Sequence, residues 1–144
     1  MEIEIKGLDR LFKKLDAAAS DAVISKALMN LGGRIQATAK ENCPVDTGQL
    51  RDSIIVQSPT PDTVTVGTNV EHGIFVEYGT GPKGDPTVPH TTKKYWRYKD
   101  ELGNWVTSHG QEPQPFMRPA FNRYKDQAGE IVKQAIEAEI KGVG

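Results

Sequence analysis

Hydrophobic and polar positions follow two different periods along this chain, and the first third follows the helical one. Apolar residues recur there every three or four positions, which places them on one helix face. The first stripe comprises Leu8, Leu11, Phe12 and Leu15. The second runs from residue 24 to residue 39, with Ser20 or Asp21 as its cap and Pro44 as its stop. The pattern predicts two helices within about residues 8–42.

Two adjacent glycines, Gly32 and Gly33, interrupt the second stripe. Each glycine costs a helix interior roughly 1 kcal/mol relative to alanine. A long helix tolerates such a pair, and we expect it to allow either close packing against a neighbour or a bend.

The middle of the chain changes to period two, which is typical of strands. Alternation at 54–56 and at 64–66, with turn-forming residues from Ser58 to Asp62 between them, predicts a hairpin. The apolar residues of 74–78 alternate in the same way and predict a third strand that ends at Gly79.

Glycine and proline dominate the next segment, which we interpret as a loop over about residues 79–94. Aromatic residues on either side of Asp100–Gly103 then predict a second hairpin over 94–107. Pro119 suits the first turn of a last helix over about 118–141. The order of elements indicates a single α+β domain, 1–144, in which N- and C-terminal helices pack on one face of a mainly antiparallel sheet spanning about 52–107.

Composition narrows the function classes. The 144 residues are 37% hydrophobic and 26% charged with a net charge of −1, as in an ordinary folded protein without global attraction to nucleic acid. No apolar run approaches the roughly 18 residues that span a bilayer, and we expect no membrane association. The lone Cys43 excludes an internal disulfide and fits a reducing cytoplasm.

Cofactor and metal signatures are weak. Gly79–Gly84 contains a lysine but lacks the Gly-Lys-Ser/Thr ending and the helix start of a phosphate-binding loop. His72, His90 and His109 are too far apart for the local spacing that zinc sites use. We therefore expect no metal, no cofactor and no small-molecule substrate.

The tripeptide Asp46-Thr47-Gly48 surrounds the catalytic aspartate of aspartic proteases, which need two such carboxylates around one water. A dimeric protease through Asp46 is therefore a remote alternative. Here the tripeptide follows a proline-terminated helix, and a turn is simpler: Asp46 accepts backbone N–H groups, Gly48 adopts positive φ and Leu50 enters the core.

A basic, aromatic stretch lies between residues 83 and 99. Cations and rings interleave there, and Trp105 follows on the partner strand of the predicted hairpin. The rings can be the buried side of the hairpin, or an exposed surface for DNA or a neighbouring subunit. The candidate contact residues are Lys83, Lys93, Lys94, Tyr95, Trp96, Arg97, Tyr98, Lys99 and Trp105. A nucleic-acid-binding module that uses this stretch is the main alternative function.

Three short segments together resemble the neck, or tail-completion, proteins that join head to tail in tailed bacteriophages. They are 43–54, 76–81 and 114–121, and the resemblance extends over nearly the whole chain in order and spacing. The motif residues are Pro44, Asp46, Thr47, Gly48, Leu50, Arg51, Ser53, Ile54, Glu77, Tyr78, Gly79, Thr80, Pro115, Phe116, Arg118, Pro119 and Ala120.

The resemblance implies a structural virion protein rather than an enzyme. It implies an α+β subunit that is made in the host cytoplasm and forms a ring, expected to be a hexamer, at the head–tail junction. The implied partners are adjacent neck, connector or tail-tube proteins and DNA that passes non-specifically through the lumen. The family motifs look structural, so no catalytic residue is carried over.

Two expectations concern the motifs and the loop. Glu77 can form an ion pair with Arg51 or Arg118 and so hold the motif segments together. Residues 80–114 form a long exposed segment, which we expect to be mobile in the isolated subunit and to order on docking.

Overall fold

A long helix, α1 (Asp21–Asn42), dominates the N-terminal half of the computed structural model, which describes residues 1–6, 20–44, 48–89, 91 and 93–141. It begins where the Ser20 side chain accepts a hydrogen bond from the backbone N–H of Val23 (3.3 Å). It ends at Cys43, which has extended backbone geometry before Pro44. The predicted second helix is thus confirmed, whereas the predicted stripe from Leu8 to Leu15 lies outside the described residues.

A three-stranded antiparallel sheet consists of β1 (Glu2–Ile5), β2 (Ile55–Thr60) and β3 (Thr63–Gly67) in the order β1-β3-β2. The β2–β3 hairpin confirms the prediction from alternation. Strand β1 is missing from the predictions. Its signal was the short alternation of Ile3 and Ile5 with charged residues, and Ile3 lies opposite Val66 of the central strand.

The chain between residues 70 and 115 forms a compact unit of its own, which we call the second unit. It contains helix α3 (Gly73–Tyr78), a 3₁₀ turn (Gly81–Lys83) and a two-stranded ribbon, β4 (Trp96–Lys99) with β5 (Trp105–Ser108). The ribbon confirms the predicted second hairpin. Helix α2 (Gln49–Asp52) belongs to the first unit, Met1–Asn69 with Phe116–Gly144.

The predicted third strand at 74–78 is wrong, because these residues form helix α3. Ile74 and Tyr78 are four residues apart, a spacing that fits alternation and a helix face equally well. The buried positions resolve the ambiguity: Gly73 and Glu77, also four apart, are buried, whereas Ile74 is half exposed.

The last predicted helix is divided in two. Helix α4 (Met117–Tyr124) and helix α5 (Ala128–Ile140) are separated by a turn in which the Gln127 N–H donates to the Tyr124 carbonyl oxygen (3.0 Å). The apolar residues keep the same helical spacing on both sides, so the periodicity does not reveal the break.

The first unit confirms the α+β class, with α1 as its central layer. On one face of α1, the Ser25 hydroxyl lies 2.9 Å from the Ser58 hydroxyl of β2. On another, the Lys26 ammonium lies 3.0 Å from the Glu139 carboxylate of α5. The C-terminal helices therefore pack on α1, while α1 packs on the sheet.

The glycine pair of α1 is explained by packing. A Cβ atom at Gly32 would lie 2.6 Å from Val56 Cγ1 and 2.8 Å from Val64 Cγ2, whereas at Gly33 it would meet nothing within 4 Å. Gly32 therefore lets the helix approach the sheet closely, and Gly33 has no such role.

We expect opposite effects from the two alanine substitutions. In Gly32→Ala, overpacking against stiff valines costs ~1–3 kcal/mol and exceeds the helix-propensity gain. Gly33→Ala should instead raise the free energy of unfolding by roughly 0.5–1 kcal/mol. Urea denaturation of the pair measures both, and equal stabilisation by both would show that the sheet moves to admit the methyl group.

Candidate functional site

The first motif forms the connection from α1 to the sheet. Gly48 has φ 76°, and α2 begins directly after it. Leu50 is buried, and the Ser53 hydroxyl donates to the Leu50 carbonyl oxygen (2.6 Å) and lies 2.5 Å from the Thr68 hydroxyl. Ile54 is completely buried before β2. Asp46 and Thr47, and with them the protease hypothesis and the predicted Asp46 turn, lie outside the described residues.

Cys43 and Pro44 precede this connection. Burial raises the pKa of the Cys43 thiol, and the nearby Arg51 guanidinium partly opposes the shift. The raised pKa keeps the thiol protonated at neutral pH, so Cys43 behaves as a small apolar core residue.

Two residues of the predicted charge pairing, Arg51 and Glu77, lie in different environments. The Arg51 side chain forms an exposed ion pair with its neighbour Asp52 (3.4 Å). Glu77 is completely buried. Since every buried side-chain oxygen and nitrogen in the described ranges has a hydrogen-bond partner, its carboxylate is satisfied. The pairing of Glu77 with Arg51 or Arg118 stays a prediction.

The second motif continues from α3 into a close crossing of two backbone segments. Thr80 and Gln111 exchange N–H···O bonds of 2.8 and 3.0 Å, and the Gln114 N–H donates to the Val76 carbonyl oxygen (2.8 Å). Gly79 lies at the crossing, where a Cβ atom would be 2.5 Å from the Gln111 carbonyl oxygen. The crossing closes the base of the second unit.

The third motif begins the C-terminal helices. Phe116 and Ala120 are completely buried, and the adjoining Met117 is nearly so. Pro119 occupies the first turn of α4, as predicted, and is exposed like Pro115. Arg118 is half-buried.

An open, mainly apolar cleft of about 950 Å³ lies within the second unit. Its walls come from α3, the 3₁₀ turn, the segment that follows it and the ribbon. Ile74 and Phe75 form part of one wall, and Trp96 and Tyr98 part of another. Because no Lys, Arg, Asp or Glu is among the described residues that line it, the cleft suits an apolar side chain better than a charged small molecule.

The ribbon has two chemically different faces. Trp96 lies opposite Ser108 and Tyr98 opposite Val106, and three of these four residues line the cleft. The alternate positions carry Arg97, Lys99 and Trp105, with both cationic groups 5.3 Å from the Trp105 ring centroid. The aromatic residues therefore do not form one buried side of the hairpin. Trp96 and Tyr98 line the cleft, whereas Trp105 forms an exposed cluster with the cations of Arg97 and Lys99.

The remaining candidate contact residues are exposed: Lys83, Lys93, Lys94 and Tyr95. Tyr95 contacts His109, with ring centroids 6.1 Å apart. The structure adds exposed apolar residues that sequence reasoning missed, namely Ile74, Phe75 and Leu102. Leu102 carried a signal, since a leucine inside a predicted turn has no core to enter.

Two findings concern the part of the chain that the structure describes. There, no group of three or more His, Cys, Asp or Glu side chains is placed to hold a metal ion. The helices of the same residues include none long and apolar enough to cross a membrane.

Comparison with protein-family models identifies a family for this chain. The family model described as "Bacteriophage HK97-gp10, putative tail-component" matches residues 6–79, which is just over half of the chain. The matched region contains the first motif and most of the second, and it ends before the ribbon. No curated protein and no solved structure matches the chain.

Proposed function

Because the chain belongs to the HK97-gp10-like family of bacteriophage tail components, we propose that it forms a ring at the head–tail junction of the virion. In this proposal the ring is a hexamer that completes the tail or joins it to the DNA-filled head. Its neighbours are neck, connector or tail-tube proteins, and DNA passes through its lumen. The subunit is made in the host cytoplasm and becomes part of the virion.

One observation carries the proposal beyond family membership. The described residues include ten exposed large apolar side chains, and six of them lie in the second unit, which has only 46 residues. The six are Ile74, Phe75, Tyr95, Tyr98, Leu102 and Trp105. Three of them, Ile74, Phe75 and Tyr98, line the open cleft. Such a concentration of exposed apolar residues in one unit is typical of a surface that is covered by a partner. An assembly subunit needs this kind of surface, whereas an isolated protein gains nothing from it.

The motif residues support a structural role. Leu50, Ile54, Phe116 and Ala120 are core residues, and Gly48 and Gly79 provide backbone geometry. A catalytic motif would instead present polar groups to a cleft. We therefore propose that the subunit performs no catalysis and that its three motifs maintain the shape on which assembly depends.

Interruption of this gene in the parent phage tests the proposal. Electron microscopy of the lysate should show DNA-filled heads and separate tails side by side, and added purified protein should restore infectious particles. Normal joined particles would contradict a joining role. The add-back uses the wild-type protein, and a synonymous re-coding of the gene is the matched control.

A nucleic-acid-binding role is the second candidate, and the exposed Arg97–Lys99–Trp105 cluster favours it. Cations near an exposed ring suit contacts with phosphates and bases. The second unit as a whole has five Lys and Arg against six Asp and Glu, which argues against strong binding. Affinity for DNA that falls steeply with salt, and is lost in Arg97→Gln/Lys99→Gln, would favour this role.

A further inference from the structure

The tip of the ribbon holds one apolar side chain away from the rest of the protein. Leu102 is 86% exposed, the highest value among the exposed large apolar residues of the described chain. The Asp100 carboxylate accepts hydrogen bonds from the N–H groups of Leu102 (3.0 Å) and Asn104 (2.8 Å). The Gly103 N–H donates to the Asp100 carbonyl oxygen (3.0 Å). The turn is therefore organised in advance to present Leu102, which reduces the entropy lost on docking.

The cleft of the same unit is complementary to this tip. It is apolar and open, and at about 950 Å³ it has room for several side chains. Leu102 is not one of its lining residues: the ribbon contributes Trp96, Tyr98 and Ser108, while the tip lies at the ribbon's other end. A tip therefore leaves the cleft of its own copy open.

The charges at the tip and near the cleft also favour a contact between them. The tip carries Asp100 and the exposed Glu101. Exposed Lys83, Lys93 and Lys94 each lie two positions along the chain from a lining residue of the cleft. Outside the tip itself, the exposed acids within the same two positions are Glu71 and Glu112. In the chain next to the lining residues, these lysines outnumber the exposed acids, which favours an acidic tip over a basic one as the occupant of the cleft.

We propose that the hairpin tip 100–103 of one subunit docks into the second-unit cleft of the next subunit, with Leu102 as its anchor. The hairpin tip and the cleft are different surfaces of one chain, so the contact is heterologous. It can therefore repeat from copy to copy until a ring closes. This inference rests on the proposed ring and identifies the surfaces that form it.

Mixed cross-linking tests the contact directly. In a Cys43→Ala background, a Leu102→Cys variant is mixed with a Phe75→Cys variant, and a short bis-maleimide is added. We expect a covalent heterodimer, because Phe75 lines the cleft and is half exposed. The matched control replaces Phe75→Cys by Met29→Cys, an exposed residue of the first unit, and should give none.

Self-association provides a second readout. Leu102→Asp should weaken self-association by at least about 10-fold in light scattering coupled to size exclusion, because a buried anchor becomes charged. Leu102→Met keeps the anchor apolar and should associate like the wild type. Thr107→Asp adds the same charge elsewhere on the ribbon, and it should also have little effect. Near-ultraviolet circular dichroism verifies that each variant is folded.

The outcomes separate the docking contact from the proposed function. If the wild-type protein forms a ring that persists in Leu102→Asp, and the two cysteine variants do not cross-link, the docking contact is overturned while the proposed ring stands. Cross-linking of Leu102→Cys in virions to a different protein only would also overturn it. A wild-type protein that neither associates nor cross-links overturns it as well, while gene interruption tests the joining role independently.

Discussion

Replacing Gly79 with alanine is expected to destabilise the second unit, whose cleft Gly79 helps to line. Gly79 has φ 73° and ψ −176°, a backbone region that is essentially restricted to glycine. The added Cβ would also lie 2.5 Å from the Gln111 carbonyl oxygen and 2.8 Å from the Pro113 nitrogen, and neither backbone atom can rotate away. We expect a loss of roughly 2–6 kcal/mol in the free energy of unfolding, from backbone strain together with overpacking.

Tryptophan fluorescence measures this change selectively. The chain has two tryptophans, and both Trp96 and Trp105 belong to the ribbon. The matched control is Gly103→Ala at the hairpin tip, where φ is 81° but a Cβ atom meets nothing within 4 Å. It should cost only about 1–2 kcal/mol. Equal losses in both variants would show that the close crossing contributes nothing to the Gly79 effect.

Replacing Glu77 with leucine should cost about 3–5 kcal/mol, because removing one member of a satisfied buried polar group leaves its partners unpaired. For a protein of this size that corresponds to a fall in Tm of roughly 6–20 °C. Glu77→Gln keeps the shape and part of the hydrogen-bonding capacity. It should lose about 1.5–3 kcal/mol if the carboxylate accepts charge-assisted bonds.

Thermal denaturation of both variants at neutral pH provides the measurement. Glu71→Gln is the matched control, since Glu71 is exposed and its neutralisation should change stability by less than about 0.5 kcal/mol. An unchanged Tm in Glu77→Gln would remove the support for an ion pair at this position. An unchanged Tm in Glu77→Leu would show that the buried carboxylate does not stabilise the fold.

Local chemical signals made α1 and the β2–β3 hairpin predictable. Ser20 and Pro44 define the two ends of α1, and the turn residues between the strands define the hairpin. The strand predicted at 74–78 was wrong because five residues are too few to distinguish a period of two from one of 3.6. Tertiary packing then decided for a helix that buries Glu77.

The candidate site was predictable only in part. The ribbon and its cations follow from composition, but the division into a cleft face and a cationic face depends on which side of the ribbon lines the cleft. The cleft itself combines segments such as 74–81 and 96–98 that are distant in sequence. No local sequence pattern predicts that these segments lie together. The exposure of Phe75 and Leu102 was therefore visible only in the structure.

The crossing at Thr80 and Gln111 has a consequence for how such a protein can diversify. Hydrogen bonds join the two strands of chain that enter and leave the segment 81–110, so this segment is a loop closed at its base. The entropy of such a loop depends only weakly on its length. Insertions, deletions or replacements of residues within 81–110 can therefore alter what the loop recognises while the crossing at Thr80 and Gln111 stays the same. The part of this tail component that recognises a partner can therefore be exchanged as one segment without changing the rest of the fold.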